Sequence, residues 1–325
     1  MDGELRYELL DTIATGDFAT VFRARDRELG REVAVKQIHP QFLHDQRQLA
    51  RYWQEAQLLA TLQHPHILTI YDIVRSRGWL ILELMRTNVR QFAGGRPIEL
   101  DFLRVVLISA LQALDFLHLN GVIHGDVKPT NLLLDFQNRV KLGDFGLARR
   151  ASNEEGSLVK GTTKYMAPEL VSDQFGAVGP ASDIYSLGFS AYELLCGDQF
   201  ENLFPTLSTY GRDRQIAWML WHAAPDMRLP EINRVLEGVP PELARVIQRM
   251  VAKDQSQRYR SAKEVLRDLR AEGSQPLQLP AEDELAPLER QEALARRRRR
   301  LRLAAIGALA FSLMLSLALL WPRPE

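Results

Sequence analysis

The segment His124-Gly125-Asp126-Val127-Lys128-Pro129-Thr130-Asn131 constrains this chain more than any other, because it sets three chemically distinct side chains at short, fixed intervals. It follows an amphipathic run ending at Asn120-Gly121 and precedes the apolar Leu132-Leu133-Leu134. Taken alone, its turn residues would make an ordinary polar loop. Thirteen residues after Asn131, however, stands Asp144-Phe145-Gly146, just past an apolar strand at residues 140–142. That tripeptide is a common turn, and its place after a strand is what gives it weight. An acid, a lysine two residues on and an amide five residues on are together suited to holding a hydroxyl, a phosphoryl group and a divalent ion in one place.

Upstream, residues 7–38 read as strands joined by turns, and Val33-Ala34-Val35-Lys36 is a β-branched strand ending in a lysine. A lone strand lysine is ordinarily a solvated edge residue. Its meaning changes because Glu55 follows nineteen residues later on a predicted helix. Tyr52, Glu55, Leu59 and Leu62 fall at i, i+3, i+7 and i+10, which places Glu55 on an otherwise inward face. A carboxylate there is costly unless paired, and Lys36 is its natural partner. Leu80-Ile81-Leu82-Glu83-Leu84-Met85 reads as a further strand, and residues 88–97 as a link to a helical region. There Leu103, Val106, Leu107, Ala110, Leu111, Leu114 and Leu117 make an apolar helical stripe that stops at Gly121. That stripe is core and carries no chemistry.

These segments, in this order and spacing, resemble the catalytic and metal-binding loops of protein kinases. Downstream, Gly161-Thr162-Thr163-Lys164-Tyr165-Met166-Ala167-Pro168-Glu169 is similar to the end of a kinase activation segment. Ser182-Asp183-Ile184-Tyr185-Ser186-Leu187-Gly188 and Gln257-Arg258-Tyr259 extend the likeness over roughly residues 7–270. The chain most resembles serine/threonine kinases of the eukaryotic, or Hanks, type as they occur in bacteria.

The resemblance implies an α+β fold of two lobes. An antiparallel sheet with one helix would occupy about residues 7–85, and a mainly helical lobe about residues 90–270. It implies ATP and Mg2+ bound between them, and protein serine or threonine residues as substrates. Asp126 would accept or orient the proton of the attacking hydroxyl, while Lys128 would neutralise charge on the γ-phosphate. Asn131 and Asp144 offer hard oxygen ligands to Mg2+. Lys36, paired with Glu55, would hold the α- and β-phosphates. Ile13, Gly16, Val21, Ala34 and Leu133 would surround the nucleotide, with Leu82 as gatekeeper and Glu83 to Met85 meeting the adenine. Thr162 would position the substrate residue and brace Asp126. Asp183 would anchor the catalytic loop from below, and Arg258 would form a buried pair with Glu169. Lys128 together with Thr162 points to serine/threonine rather than tyrosine substrates.

Three positions depart from the family pattern. Kinases usually carry three glycines in the phosphate-binding loop, letting backbone amides approach the phosphates without Cβ interference. In Ala14-Thr15-Gly16-Asp17-Phe18-Ala19-Thr20-Val21 only Gly16 remains, a change that bears on nucleotide affinity more than on fold. Phe18 and Val21 still match, as a lid over the phosphates and an apolar floor for the adenine. The arginine that ordinarily precedes the catalytic acid and grips an activation-segment phosphate is Gly125 here. A phosphate on Ser152, Ser157 or Thr163 therefore lacks its main reader. Two other readings stay open. The altered loop suits a pseudokinase, a scaffold that binds nucleotide without turnover. His-Gly-Asp also occurs in small-molecule phosphotransferases resembling aminoglycoside and choline kinases, although these lack the matches at Gly161 to Glu169, Asp183 and Arg258.

Composition is that of an ordinary globular chain: 325 residues, 46% hydrophobic and 25% charged, enough for one large two-lobed domain and an appendage. The formal net charge is zero, so no global field favours nucleic acid. The single cysteine, Cys196, excludes an intramolecular disulfide, fits a reducing compartment and reads as a small buried hydrophobe. The seven histidines make no convincing metal site, since His64 and His66 merely flank Pro65 in a turn. The N-terminus alternates acids with apolar residues, and no secretory signal is expected.

Near the C-terminus the pattern changes. Residues 271–302 read as a juxtamembrane linker, with Pro276, Pro280 and Pro287 among acids and then Arg296-Arg297-Arg298-Arg299-Arg300 and Arg302. Residues 303–321 carry no charge. As a helix they would span roughly 28 Å, close to the hydrocarbon core of a bilayer. Trp321 would anchor the interface and Pro322 would end the span. A transmembrane helix is therefore expected at 303–321, with the two-lobed domain held in the cytoplasm by the positive-inside preference. Membrane lipids would be partners through residues 296–321, at roughly 1 kcal/mol for each arginine near an anionic surface. Self-association in the membrane is also open to such a chain.

Overall fold

A computed structural model of the chain describes residues 6–44, 46–144, 149–150, 163–205, 207 and 213–271. The expected linker beyond residue 271, the expected membrane span at 303–321, and Ser152, Ser157 and Thr162 lie outside the described residues.

Five strands form one antiparallel sheet in the order β1-β2-β3-β5-β4. They are β1 (Tyr7–Thr15), β2 (Ala19–Asp26), β3 (Arg31–Ile38), β4 (Ile70–Val74) and β5 (Trp79–Leu82). The two-residue period of a strand sorts their side chains onto two apolar faces. Val33 and Val35 of β3 join Ala24, Trp79 and Ile81 on one face. Ala34 and Ile38 join Leu80, Leu82, Tyr52, Trp53 and Ala56 on the other. Lys36 shares the parity of Ala34 and Ile38, so its stem lies on the face covered by helix α1 (Gln46–Thr61). Tyr52 and Leu59 of that helix are buried and Glu55 is half-buried. The strand expected to run to Met85 ends at Leu82, where the Glu83 N–H turns to the Thr69 carbonyl at 3.0 Å.

The second lobe is built on helix α2 (Leu100–Leu119), which packs against α3 (Pro180–Cys196) and, further along the chain, α6 (Ala262–Ala271). Every member of the predicted stripe from Leu103 to Leu117 is buried. Gly121 then turns the chain with φ of +72°, a backbone region that disfavours residues with a Cβ. By length and composition α2 could cross a membrane, yet its apolar face is core. Helix α3 is buried on all sides from Ser182 to Cys196. Two of its hydroxyls are satisfied within the helix: Ser186 donates to the Ser182 carbonyl at 3.1 Å and Ser190 to that of Ser186 at 2.8 Å. The lone Cys196 is buried there, and desolvation pushes its thiol up to about 12, where it is inert near neutral pH. Helices α4 (Arg214–Ala223) and α5 (Pro241–Met250) complete the lobe before α6.

Short strands β6 (Thr87–Asn88), β7 (Val122–Ile123), β8 (Leu132–Leu134) and β9 (Val140–Leu142) line the junction of the two lobes, and β10 (Arg149–Arg150) pairs with β7. Backbone bonds cross that junction. Leu68 N–H donates to Leu142 O at 2.9 Å, Leu142 N–H to His66 O at 2.8 Å and Arg86 N–H to Leu134 O at 2.9 Å. The segment after α1 is thereby tied directly to the strand that leads into Asp144.

Candidate active site

The loop from His124 to Asn131 hangs from one buried carboxylate. Asp183, in the first turn of α3, accepts the N–H of His124 on Oδ2 at 2.9 Å and that of Gly125 on Oδ1 at 2.8 Å. Two consecutive N–H groups converge on one acid because Gly125 takes φ of +73°. His118 Nε2 donates to the same Oδ2 at 2.8 Å. His124 is fully buried, donating from Nε2 to the Gly143 carbonyl at 3.2 Å and accepting the Asp126 N–H on Nδ1 at 3.3 Å. This one imidazole sets both the start of the loop and the approach to Asp144.

Asp126 then sits between two donors. Lys128 Nζ reaches its Oδ2 at 2.7 Å, and Asn131 Nδ2 donates to the same oxygen at 3.1 Å and to the Asp126 main-chain carbonyl at 2.8 Å. Since the Asn131 amide nitrogen faces those acceptors, its oxygen faces away from them. Gly143 N–H donates to Asn131 O at 2.9 Å, bringing the end of β9 against the loop. A Cβ on Gly143 would lie 2.5 Å from Leu133 Cδ1, so a larger residue there would require the Leu133 side chain to shift.

Asp144 adopts φ of +51°, a left-handed conformation that short polar side chains tolerate best after glycine. Its carboxylate meets the Lys36 ammonium. Although 48% of its side-chain surface is open, desolvation acts to raise its pKa. Lys36, then Lys128 and His124, more than offset this and hold the group below the usual carboxylate range. Lys36 was expected to pair with Glu55; its contact with Asp144 is one that the motif spacing did not signal. Glu55 is half-buried on α1 and makes an interaction of its own.

Among the described residues no cluster of three or more His, Cys, Asp or Glu could hold a metal by itself. The donor set at the junction is the Asn131 amide oxygen and the ionised Asp144 carboxylate. Two hard oxygens suit Mg2+, which keeps several waters and takes the rest of its shell from phosphates.

Val21, Ala34, Leu82, Leu84, Met85 and Leu133 belong to one apolar cluster, in keeping with a nucleotide-base wall. Ile13 stands apart from it on β1, 47% exposed. Glu83 is held by Lys141 of β9 at 2.7 Å, a pair that nothing in the local sequence signals. Phe18 does not project as a lid. Its ring packs back onto Phe42 at 4.9 Å and Tyr52 at 5.4 Å between centroids, because an aromatic ring gains more by burial than by standing in solvent.

Beneath the loop, Arg258 and Glu169 form a fully buried pair at 2.7 Å. Thr163 is buried and donates its hydroxyl to Gln215 O at 3.0 Å, which shields it from modification in this conformation. Sequence reasoning missed the neighbouring charge cluster entirely. Lys164 is buried between Glu193 at 2.8 Å and Glu201 at 2.6 Å. Arg90 and Tyr165 also reach Glu193, at 2.8 and 2.6 Å. Burial acts to raise the Glu193 carboxyl, but Lys164 and the hydrogen bonds lower it overall. These partners lie far apart along the chain and leave no local signature.

Compared with known proteins, residues 7–269 match the protein kinase domain family. The chain is 32% identical to serine/threonine-protein kinase PknB of Mycobacterium leprae over 290 residues, covering 85% of this chain and 44% of that protein. It is 31% identical to the protein of the same name from Mycobacterium tuberculosis over 289 residues, with the same two coverages. The counterpart in Mycolicibacterium smegmatis is 32% identical over 284 residues, 81% of this chain and 42% of that one. The chain thus spans less than half the length of these curated relatives.

Proposed function

The chain belongs to the protein kinase domain family, and on that premise we propose that it transfers the γ-phosphoryl group of ATP to serine and threonine hydroxyls of proteins. The observation that carries this reading is the single carboxylate of Asp126 held by both Lys128 and Asn131. Both donate to Oδ2, so Oδ1 is the atom that takes or orients the proton of the substrate hydroxyl. Lys128, already beside that carboxylate, stabilises the charge that develops on the transferred group. Asn131 and Asp144 would hold Mg2+, and Lys36 would bind phosphate oxygens from the small-lobe side. When bound, Mg2+ATP supplies the transferable phosphoryl group and a divalent charge that bridges its oxygens. Glu83, Met85, Val21, Ala34 and Leu133 would position the base, with Ile13 at its open edge. Thr162 would brace Asp126 against the acceptor residue. The names of the relatives support serine/threonine over tyrosine acceptors.

The test is transfer of labelled γ-phosphate by the full chain to itself and to a generic basic protein. Asp126→Asn should lower the rate by about 10²–10⁴-fold, and Asp144→Asn should abolish Mg2+-dependent transfer. Nucleotide bound without any transfer by the wild type would replace this reading with a pseudokinase. Transfer only to small hydroxylated molecules would replace it with a small-molecule phosphotransferase.

We also propose that residues 303–321 anchor the chain in a membrane, with the kinase domain on the cytoplasmic side. The support is the uncharged run of nineteen residues directly after the arginines at 296–300 and 302. Such an anchor resists extraction by alkaline carbonate and requires detergent; release by carbonate alone would refute it.

A further inference from the structure

Two of the usual loop glycines are alanines here, and the loop between β1 and β2 is held in a way that the family pattern does not require. Gly16 N–H closes the turn on Ala19 O at 3.0 Å, and the Ala19 methyl is buried. His39, immediately after β3, then binds this loop at three points. Its N–H donates to Phe18 O at 2.9 Å. Its ring contacts the Asp17 carbonyl through Nδ1 at 3.2 Å and the Thr20 hydroxyl through Nε2 at 3.0 Å. The Asp17 carbonyl can only accept, so Nδ1 carries the proton it donates, and Nε2 pairs with the Thr20 hydroxyl. Pro40 confines His39 to extended backbone, φ −65° and ψ 141°, which aims the residue at the loop. Phe42 stacks on the His39 ring at 6.5 Å and touches Phe18 at 4.9 Å, adding an apolar side to the clasp.

We propose that His39 is a positioning residue that holds the phosphate-binding loop in its nucleotide-binding shape. The alanines restrict the backbone freedom with which a glycine-rich loop closes on phosphates, and the clasp offsets this by ordering the loop beforehand, so less freedom is lost on binding. This rests on the kinase reading above.

The experiment uses the full chain and measures KM for ATP, kcat, affinity for ADP by calorimetry, and amide hydrogen exchange. His39→Ala should raise KM and the ADP dissociation constant about five- to tenfold, with kcat within about twofold. Exchange should quicken at residues 15–20 while β5 stays protected. Thr20→Val, which removes only the Nε2 contact, should give a smaller rise, and His39→Gln should recover part of the affinity. The double variant His39→Ala/Thr20→Val should be no worse than His39→Ala alone, since both cut one interaction. Unchanged KM and loop exchange would overturn the proposal, as would faster exchange spreading into β5 with loss of kcat. If the wild type turned over no ATP, the kinase reading would fail, while ADP affinity and loop exchange would still decide the role of His39.

Discussion

Gly125 occupies the position where the resemblance calls for an arginine, and its backbone geometry shows what the smaller residue allows. At φ of +73° its N–H and that of His124 both reach Asp183, and a Cβ built there would meet nothing within 4 Å. The constraint is therefore backbone strain rather than space. Gly125→Ala should cost about 1 kcal/mol of stability, read as a lower urea midpoint at unchanged slope; an unchanged midpoint would refute the strain argument. His124, Asp126, Lys128 and Asn131 were legible as a group because they lie within eight residues of sequence. The contact of Lys36 with Asp144 was not. The contact joins residues 108 positions apart, and no local pattern records it.

Secondary-structure elements were legible wherever a period repeated. The alternation in β3 and the stripe in α2 both place side chains on the faces found in the structure. Apolar length alone is ambiguous, as α2 shows: it passes the length and composition test for a membrane helix while serving as the core of a lobe. What separates residues 303–321 from α2 in the membrane proposal is their place after a domain that ends its family match at residue 269, together with the preceding arginines. The loop between β1 and β2 is the opposite case. Its motif suggested Phe18 as a lid, but Phe42 and Tyr52 offered the ring an apolar site that no period in the loop reveals.

Across the whole molecule, Arg258 ties three separate segments together. It bonds Glu169 through both terminal nitrogens, Ala181 O at 2.9 Å, Lys253 O at 3.0 Å and Ala252 O at 2.8 Å. Arg258→Ala would leave the buried Glu169 carboxylate without its cation, a loss of about 3–5 kcal/mol against a typical total of about 5–15 kcal/mol. A large fall in the melting midpoint is expected; a midpoint within a degree or two of the wild type would show that the pair contributes little. By itself the sequence determined the order of the elements, the identity of the catalytic-loop residues and the two-lobed plan, because propensity, periodicity and motif spacing act over a few turns of chain. Only the tertiary structure decided that Lys36 meets Asp144, where Phe18 turns, how Lys164 is buried and that His39 clasps the loop. Each of those is settled by desolvation and packing between segments whose separation along the chain carries no record of their contact.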